Sequence, residues 1–298
     1  MKVLISGANG LIGKKIAKQL AQNSNMEVIA TSLKKLQIPN TTTFTSNLLN
    51  ADIDGLIAQI KPDVLVHCAA LSGPDACEAD RYMCKKMNIE LSSRLAAACV
   101  NYNTHFIFLS TDFVFDGIKG NYSETDPANP LCYYGESKFE TENYLQNQPL
   151  KHTIVRTSLV YGWEQKLSRP NLLTRIINLL SKNKNFKVAS DQVRTPTYAE
   201  DLAVAIEKII TANATGIFHL SGKETISVSD FAFKIAEQFN LNKSLLIPTT
   251  TKDLMEPALR PLNTSLNITK AKQELNFTPK SIDENLKELF QTISQKNP

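Results

Sequence analysis

The sequence predicts an α/β fold, a doubly wound parallel sheet with a smaller C-terminal substrate-binding lobe beside it. Three observations carry this expectation. Short apolar runs alternate with longer stretches of helical periodicity through the first half of the 298-residue chain, as in successive βαβ units. Those runs are continuously apolar, which suits strands covered on both faces. The first run is followed at once by closely spaced glycines that open a helix.

The elements follow in order. Lys2–Ser6 reads as a strand ending at Gly7, and Leu11–Gln22 repeats apolar residues at helical spacing through Leu11, Ile12, Ile16 and Leu20. Glu27–Thr31 is a second strand and Thr43–Ser46 a short third. Ala51–Ile60 reads as a helix, Asp63–His67 as a strand, and Ala79–Asn101 as one long helix. His105–Ser110 is a strand, Tyr134–Gln146 a helix and Thr153–Thr157 a strand. In the second half Arg169–Ser181, Glu200–Thr211, Ser229–Phe239 and Ser281–Gln295 read as helices, and Gly216–Ser221 as a late strand. Pro248, Pro257, Pro261 and Pro279 cut this half into short pieces. The division expected is a dinucleotide-binding part made of 1–161 and 191–220, and a lobe made of 162–190 and 221–298.

Composition excludes several classes. No apolar run approaches the ~18 residues that cross a bilayer. The opening MKVLISGANG fits a strand and turn better than a signal peptide, so the cytoplasm is the expected compartment. A net charge of +4 without a basic arm argues against a nucleic-acid partner. The five cysteines, at 68, 77, 84, 99 and 132, match no zinc spacing and are expected to be free and mostly buried. A monomer or homodimer is expected, with no metal.

Gly7-Ala-Asn-Gly10-Leu-Ile-Gly13 stands between the first strand and the first helix. Small residues there allow close approach of backbone to a pyrophosphate, and the helix N-terminus offers unpaired N–H groups. The fold is therefore expected to be of the Rossmann type. An NAD-specific site commonly places a carboxylate at the end of the second strand. Here that strand runs into Ser32-Leu33-Lys34-Lys35. Lys34 and Lys35 could meet a 2′-phosphate, so NADP is the favoured cofactor and NAD the alternative. Two lysines on a solvated helix start would read the same way.

A carbonyl reductase must give a proton to the oxygen that receives the hydride's electron pair. Tyrosine can do so if a nearby lysine lowers its pKa, and residues four apart on a helix share a face. Tyr-x-x-x-Lys occurs twice, at Tyr82/Lys86 and Tyr134/Lys138. The first lies in a helix with no hydroxyl-bearing strand end leading into it, and is assigned to surface or packing. The second follows the strand ending Leu109-Ser110-Thr111-Asp112 by one loop. Strand C-termini form the ligand crevice of such sheets, so Ser110, Thr111, Tyr134 and Lys138 are expected to converge there.

With these residues in hand, the whole chain resembles the extended short-chain dehydrogenase/reductases, and among them the dTDP-4-dehydrorhamnose reductase family. The resemblance is carried by STDFVFDGIKGNYSETDPANPLCYYGESKFETE (110–142), RTSLVYG (156–162), DQVRTPTYAEDLA (191–203) and RPLNTSL (260–266). It implies reduction of a 4-keto group on a nucleotide-linked 6-deoxysugar. Tyr134 would donate the proton, Lys138 would assist it and hold the nicotinamide ribose, and Thr111 would bind the keto oxygen. Asp112 would contact substrate. Gly7, Gly10, Leu11, Ile12 and Gly13 would line the pyrophosphate, and Ala69 and Ala70 would pass beside the cofactor. Ser32, Lys34, Asn47 and Leu48 would lie toward its adenosine end. Arg260 would clamp the substrate diphosphate or else form a structural salt bridge.

Three positions depart from the family pattern. Leu159 replaces a frequent tryptophan that touches substrate. Asn47-Leu48 replaces an Asp-Leu pair near the adenine. Lys14-Lys15 stands where some relatives carry a carboxylate that holds magnesium at a dimer contact. The resemblance also admits a second reading, a cofactor-binding partner protein like the beta subunit of methionine adenosyltransferase. A third is a reductase or epimerase for another sugar. Fold alone does not separate them.

Overall fold

In a computed structural model, residues 1–165, 167 and 169–296 are described. The first half contains β1 (Lys2–Ser6), α1 (Leu11–Leu20), β2 (Glu27–Ser32), β3 (Thr42–Thr45), α2 (Ile53–Ile60), β4 (Val64–His67), α3 (Pro74–Ala79), α4 (Arg81–Cys84), α5 (Leu91–Asn101), β5 (His105–Thr111), α6 (Tyr133–Gln146) and β6 (His152–Thr157). The second half contains β7 (Val160–Tyr161), α7 (Leu172–Leu180), β8 (Phe186–Ala189), β9 (Val193–Arg194), β10 (Thr197–Tyr198), α8 (Ala199–Ala212), β11 (Gly216–His219), β12 (Ile226–Ser227), α9 (Val228–Gln238), β13 (Leu246–Thr249), α10 (Thr251–Leu254), α11 (Thr269–Leu275) and α12 (Ile282–Lys296).

The main sheet has seven strands in the order β11-β6-β5-β4-β1-β2-β3, all parallel. This is the doubly wound arrangement expected. The strand order reverses between β1 and β4, so a crevice opens beyond their C-terminal ends. The central strands supply core to both faces, which is why their sequences are continuously apolar. Val3, Ile5, Val66 and Ile107 join one layer with Ile16 and Leu20 of α1 and Leu202, Ile206 and Ile209 of α8. Leu4, Leu65, Phe106 and Phe108 join the other with Ile53 and Ile57 of α2, Leu95 of α5 and Leu145 of α6.

A second core stands apart. Tyr161, Leu173, Ile176 and Leu180 pack with Phe231 and Ile235 of α9 and with Ile282, Leu286 and Leu289 of α12. β13 and β8 pair in parallel beside it. The expected lobe segment 221–298 does not lie wholly there: Ile268, Ala271, Leu275 and Phe277 pack in the main-sheet layer with α8. α11 presents an apolar face to β11 and α8, so this stretch returns to the sheet before α12 leaves it.

The long helix expected over Ala79–Asn101 is interrupted. Asp80 caps a new start, its side chain accepting from Met83 N at 2.8 Å. A π-helical turn then occupies Lys85–Glu90. The turn carries Asn88, fully buried, whose amide grips Leu71 of the crevice loop through both N–H (2.9 Å) and C=O (3.2 Å). Periodicity alone does not distinguish this extra residue per turn. All five cysteines are free, four of them buried.

Three histidines are buried on strands of the main sheet: His67, His105 and His219. Burial holds them neutral, at about 3, about 4 and about 3. The unfolded chain takes up protons below about 6.5 where the folded chain does not. Stability should therefore fall as pH drops from 6.5 toward 4, by up to about 1.4 kcal/mol per pH unit for each histidine. Urea midpoints unchanged between pH 7 and pH 5 would contradict this.

Candidate active site

The glycine turn is built by close approach. Gly7 has φ +71°, and a Cβ there would meet Ala69 N at 2.7 Å and Ala69 Cα at 2.8 Å. A Cβ on Gly13 would meet the Gly7 carbonyl oxygen at 2.6 Å. The turn thus folds tightly against the loop that follows β4, and the α1 N-terminus faces the crevice with no side-chain cap. That is a cradle fitted to an anionic backbone such as a dinucleotide pyrophosphate. Ser6 steadies the other bank. Its hydroxyl contacts His67 Nδ1 at 2.7 Å and accepts from Cys68 N at 3.2 Å.

A groove of about 370 Å³ runs from this turn across the sheet. Gly7, Gly10, Leu11, Ile12, Gly13 and Ala70 line its floor, and Thr111, Asp112, Tyr134 and Lys138 line its middle. Its outer end is lined by Leu159, Val160, Arg169, Pro170, Asn171 and Leu172. The structure therefore brings together the glycine turn and the Thr-Tyr-Lys set. Ser32, Lys34, Asn47, Leu48, Ala69 and Arg260 do not line the groove. Ser32 is buried at the end of β2, Lys34 and Asn47 are exposed, and Leu48 packs in the core with Ile53 and Ile57.

Lys138 is 3% exposed. Its Nζ donates to the Leu109 carbonyl at 2.7 Å and sits 4.5 Å from the Phe108 ring centroid. Burial brings the ammonium down to about 8, while negative charge on Cys68 and Glu142 would pull it back up. Tyr134 stands in the first turn of α6 with its ring edge against Phe113, 5.9 Å between centroids. Burial pushes its phenol up, opposed chiefly by a hydrogen bond with Thr111. Burial thus outweighs, at the Tyr134 phenol, the lowering expected from Lys138, whose ammonium is directed to the Leu109 carbonyl.

Asp112 lines the groove and is also bonded toward the second lobe. It is 2% exposed, and its Oδ2 accepts from Ser158 Oγ at 2.9 Å and Thr264 Oγ1 at 2.5 Å. Arg194 Nε lies 3.7 Å away. Burial raises this carboxyl, with Arg194 the largest opposing influence. Asp112 thus ties the ends of β5 and β6 to the second lobe. Arg260 takes the salt-bridge alternative. Its Nη2 donates to Asp75 at 2.6 Å and its Nε to Glu256 at 3.1 Å.

Sequence reasoning missed the support behind Lys138. Glu142, one turn further along α6, is fully buried and receives Arg156 Nη2 at 2.6 Å and Arg156 Nε at 3.1 Å. Ser110 Oγ also donates to Glu142, so the Ser110 hydroxyl faces the ion pair. The i,i+4 spacing of Lys138 and Glu142 was the available signal. The other Tyr-x-x-x-Lys is a surface pair: Tyr82 is 67% exposed and Lys86 Nζ lies 4.6 Å from its ring centroid. Lys14, Lys15 and Lys18 of α1 gather around Glu164 at 3.4, 3.6 and 2.6 Å. No cluster of metal-ligating side chains occurs among the described residues, and no helix among them is long and apolar enough to cross a membrane.

Comparison with known proteins places these features. The model of the RmlD substrate-binding domain matches residues 1–295. A dTDP-4-dehydrorhamnose reductase of Aggregatibacter actinomycetemcomitans is 34% identical over 97% of this chain and 98% of its own. Methionine adenosyltransferase 2 subunit beta of Rattus norvegicus is 31% identical over 90% of this chain and 81% of its own. The crystal structure of a dTDP-4-dehydrorhamnose reductase from Bacillus anthracis, in complex with NADP, superposes with a TM-score of 0.85 at 28% identity, covering 98% of this chain and 99% of that one.

The buried ion pair makes a direct prediction. Glu142→Gln leaves the Arg156 guanidinium buried without a countercharge, and should lower stability by about 3 kcal/mol. Urea unfolding at neutral pH measures it, and a midpoint equal to the parent's would show that the pair carries no such load.

Proposed function

This chain belongs to the RmlD substrate-binding domain family, and on that premise we propose that it is an NADPH-dependent reductase of the 4-keto group of a nucleotide-linked 6-deoxysugar, dTDP-4-dehydrorhamnose first among them. The observation that carries the reading is one groove lined by the glycine turn together with Thr111, Tyr134 and Lys138. NADPH, when bound, supplies the hydride. The chain's own residues do the rest. Gly7, Gly10 and Gly13, with the α1 N-terminus, hold the pyrophosphate. Thr111 and Tyr134 direct hydroxyls at the keto oxygen, and Tyr134 releases its proton there as negative charge develops. Lys138 supplies the fixed positive charge that favours this transfer, from a position set by Leu109 and Glu142. Lys34 and Lys35, both exposed beyond β2, take the 2′-phosphate, with NAD as the alternative cofactor.

The proposal includes residues 1–161 and 191–220 as the cofactor-binding part and the remainder as the substrate lobe, with 268–277 packed back on the sheet. The compartment proposed is the cytoplasm, and the state a monomer or homodimer without nucleic-acid partners. Leu159 leaves a smaller side chain in the sugar-facing end than the tryptophan it replaces, with its backbone at φ +39°. A reductase for another sugar is the nearest alternative on that ground. The partner-protein reading has less support, because the match to the reductase extends over more of both chains and the Thr-Tyr-Lys set is intact.

Tyr134→Phe should reduce sugar-dependent oxidation of NADPH about 10²- to 10⁴-fold and leave NADPH affinity within about twofold. Turnover at the parent's rate would remove Tyr134 from the mechanism. If the cation of Lys138 is needed, kcat/KM should fall as pH rises through about 8, since above that value the amine is neutral. A rate flat to pH 10 would contradict that role. Lys34→Ala with Lys35→Ala should weaken binding of NADPH and not of NADH. Equal effects on the two would return both lysines to the solvated surface.

A further inference from the structure

Two thiols face each other behind the groove wall. Cys77 lies in α3 and Cys84 ends α4, both fully buried and both free. Asp80, at φ −139° and ψ 77°, breaks the helix between them, so the two side chains turn toward one point. That point is the amide of Asn88 in the π-helical turn. Its nitrogen lies 3.3 Å from Cys84 Sγ and 4.0 Å from Cys77 Sγ. The two thiols also bond to each other. A disulfide asks for little beyond this approach of the sulfurs.

The pair is asymmetric. Cys77 donates in the bond between them, which raises its own thiol and holds Cys84 below the usual thiol range. The Lys138 ammonium and the Asn88 amide act on Cys84 in the same direction, against burial. The sulfur with more thiolate character is the one that attacks an oxidant. Cys99, in the core on α5, is instead pushed up to about 12 by burial. The pair also touches the site. The Cys77 S–H is shared with the Leu71 carbonyl at 3.2 Å, and Ser72 and Pro74 of that loop line the groove. Cys84 Sγ lies 3.5 Å from Ser137 Oγ, and the Ser137 hydroxyl donates to the Tyr134 carbonyl at 2.8 Å.

We propose that Cys77 and Cys84 form a reversible disulfide under peroxide, a redox switch that loosens the loop at 71–74 and the first turn of α6. The Cys84 sulfur attacks the O–O bond of hydrogen peroxide, giving a sulfenic acid and one water. The Cys77 sulfur then displaces the hydroxyl group from Cys84, which leaves with the Cys77 proton as a second water. Two thiols and one peroxide become one disulfide and two waters; each sulfur gives one electron and the peroxide takes both. A dithiol reverses the bond by exchange. Once oxidised, Cys77 has no S–H for the Leu71 carbonyl. Both sulfurs are buried, so the oxidant enters when α3 and α4, six and four residues long, open locally. Transient, redox-sensing bonds are the kind that cytosolic proteins form. The thiol chemistry does not rest on the reductase reading; its effect on the groove does.

The test exposes the fully reduced, full-length chain to hydrogen peroxide, alkylates the remaining thiols and maps the peptides by mass. The expected product links Cys77 to Cys84, leaves Cys99 alkylated and returns to thiols in dithiothreitol. NADPH, titrated by its fluorescence, should bind the oxidised chain about threefold to tenfold more weakly than the reduced one. Cys84→Ser should lose both effects, and Cys77→Ser gives the same comparison if the first variant does not fold. Cys77 and Cys84 both alkylated after peroxide, Cys77 linked to Cys132 instead, or Cys99 oxidised alongside them through unfolding would overturn the disulfide. A bond between Cys77 and Cys84 with NADPH affinity unchanged would overturn the switch. A reduced chain that binds no NADPH would overturn the reductase reading and the switch, while the peptide map still decides the disulfide.

Discussion

The interior position of the Lys138 ammonium is the constraint on which the site depends. A cation 3% exposed is unfavourable unless its surroundings replace water. Here the replacements come from three elements. Leu109 offers a carbonyl from the end of β5, Phe108 offers a ring face from the same strand, and Glu142 offers negative charge from the next turn of α6. Glu142 is in turn fixed by Arg156 of β6 and Ser110 of β5. The position of the lysine, the register of β5 against β6 and the seating of α6 are thus one arrangement. A parallel sheet covered on both faces makes it possible, because adjacent strand ends deliver their carbonyls and side chains to one line.

The two cores meet through a similar buried charge. Asp112 follows β5, Ser158 follows β6, and Arg194 and Thr264 belong to segments running into the second lobe. Their mutual bonds explain why the RPLNTSL stretch at 260–266 is informative. Arg260 reaches Asp75 beside the groove, Thr264 reaches Asp112, and Leu266 bridges to Tyr122. The lobe is therefore not hung on a linker. It is held by polar contacts at the edge of the groove, where a change in its position would be felt by Thr111 and Tyr134.

Much of this was legible in the sequence, for identifiable reasons. Continuous apolar strands and local turn chemistry are short-range signals, so the seven strands of the main sheet and the Gly7–Gly13 turn are readable along the chain, whereas the order of the strands is seen only in the fold. The pairing of Tyr134 with Lys138, and the dismissal of Tyr82 with Lys86, rested on which strand end preceded each helix. What escaped was non-local or disguised. Glu142 and Arg156 have the composition of surface residues and are buried only because they meet. The π turn around Asn88 adds a residue that helical periodicity absorbs without trace. β13 carries Pro248 and pairs with a strand some sixty residues earlier, so its sequence reads as a break. In the sequence Arg260 suits a ligand clamp and a salt bridge equally, and only the placement of Asp75 and Glu256 separates the two.

The central claim is that this groove delivers a hydride from a nicotinamide to a sugar carbonyl beside Tyr134 and Lys138. The most direct measurement uses NADPH deuterated at the transferring C4 position, with dTDP-4-keto-6-deoxy-L-sugar, and mass spectrometry of the product. The account predicts one deuterium at C4 of the reduced sugar, delivered from a single face of the nicotinamide. NADPH that binds but transfers no label to this sugar, or to other nucleotide-linked keto sugars, would contradict it.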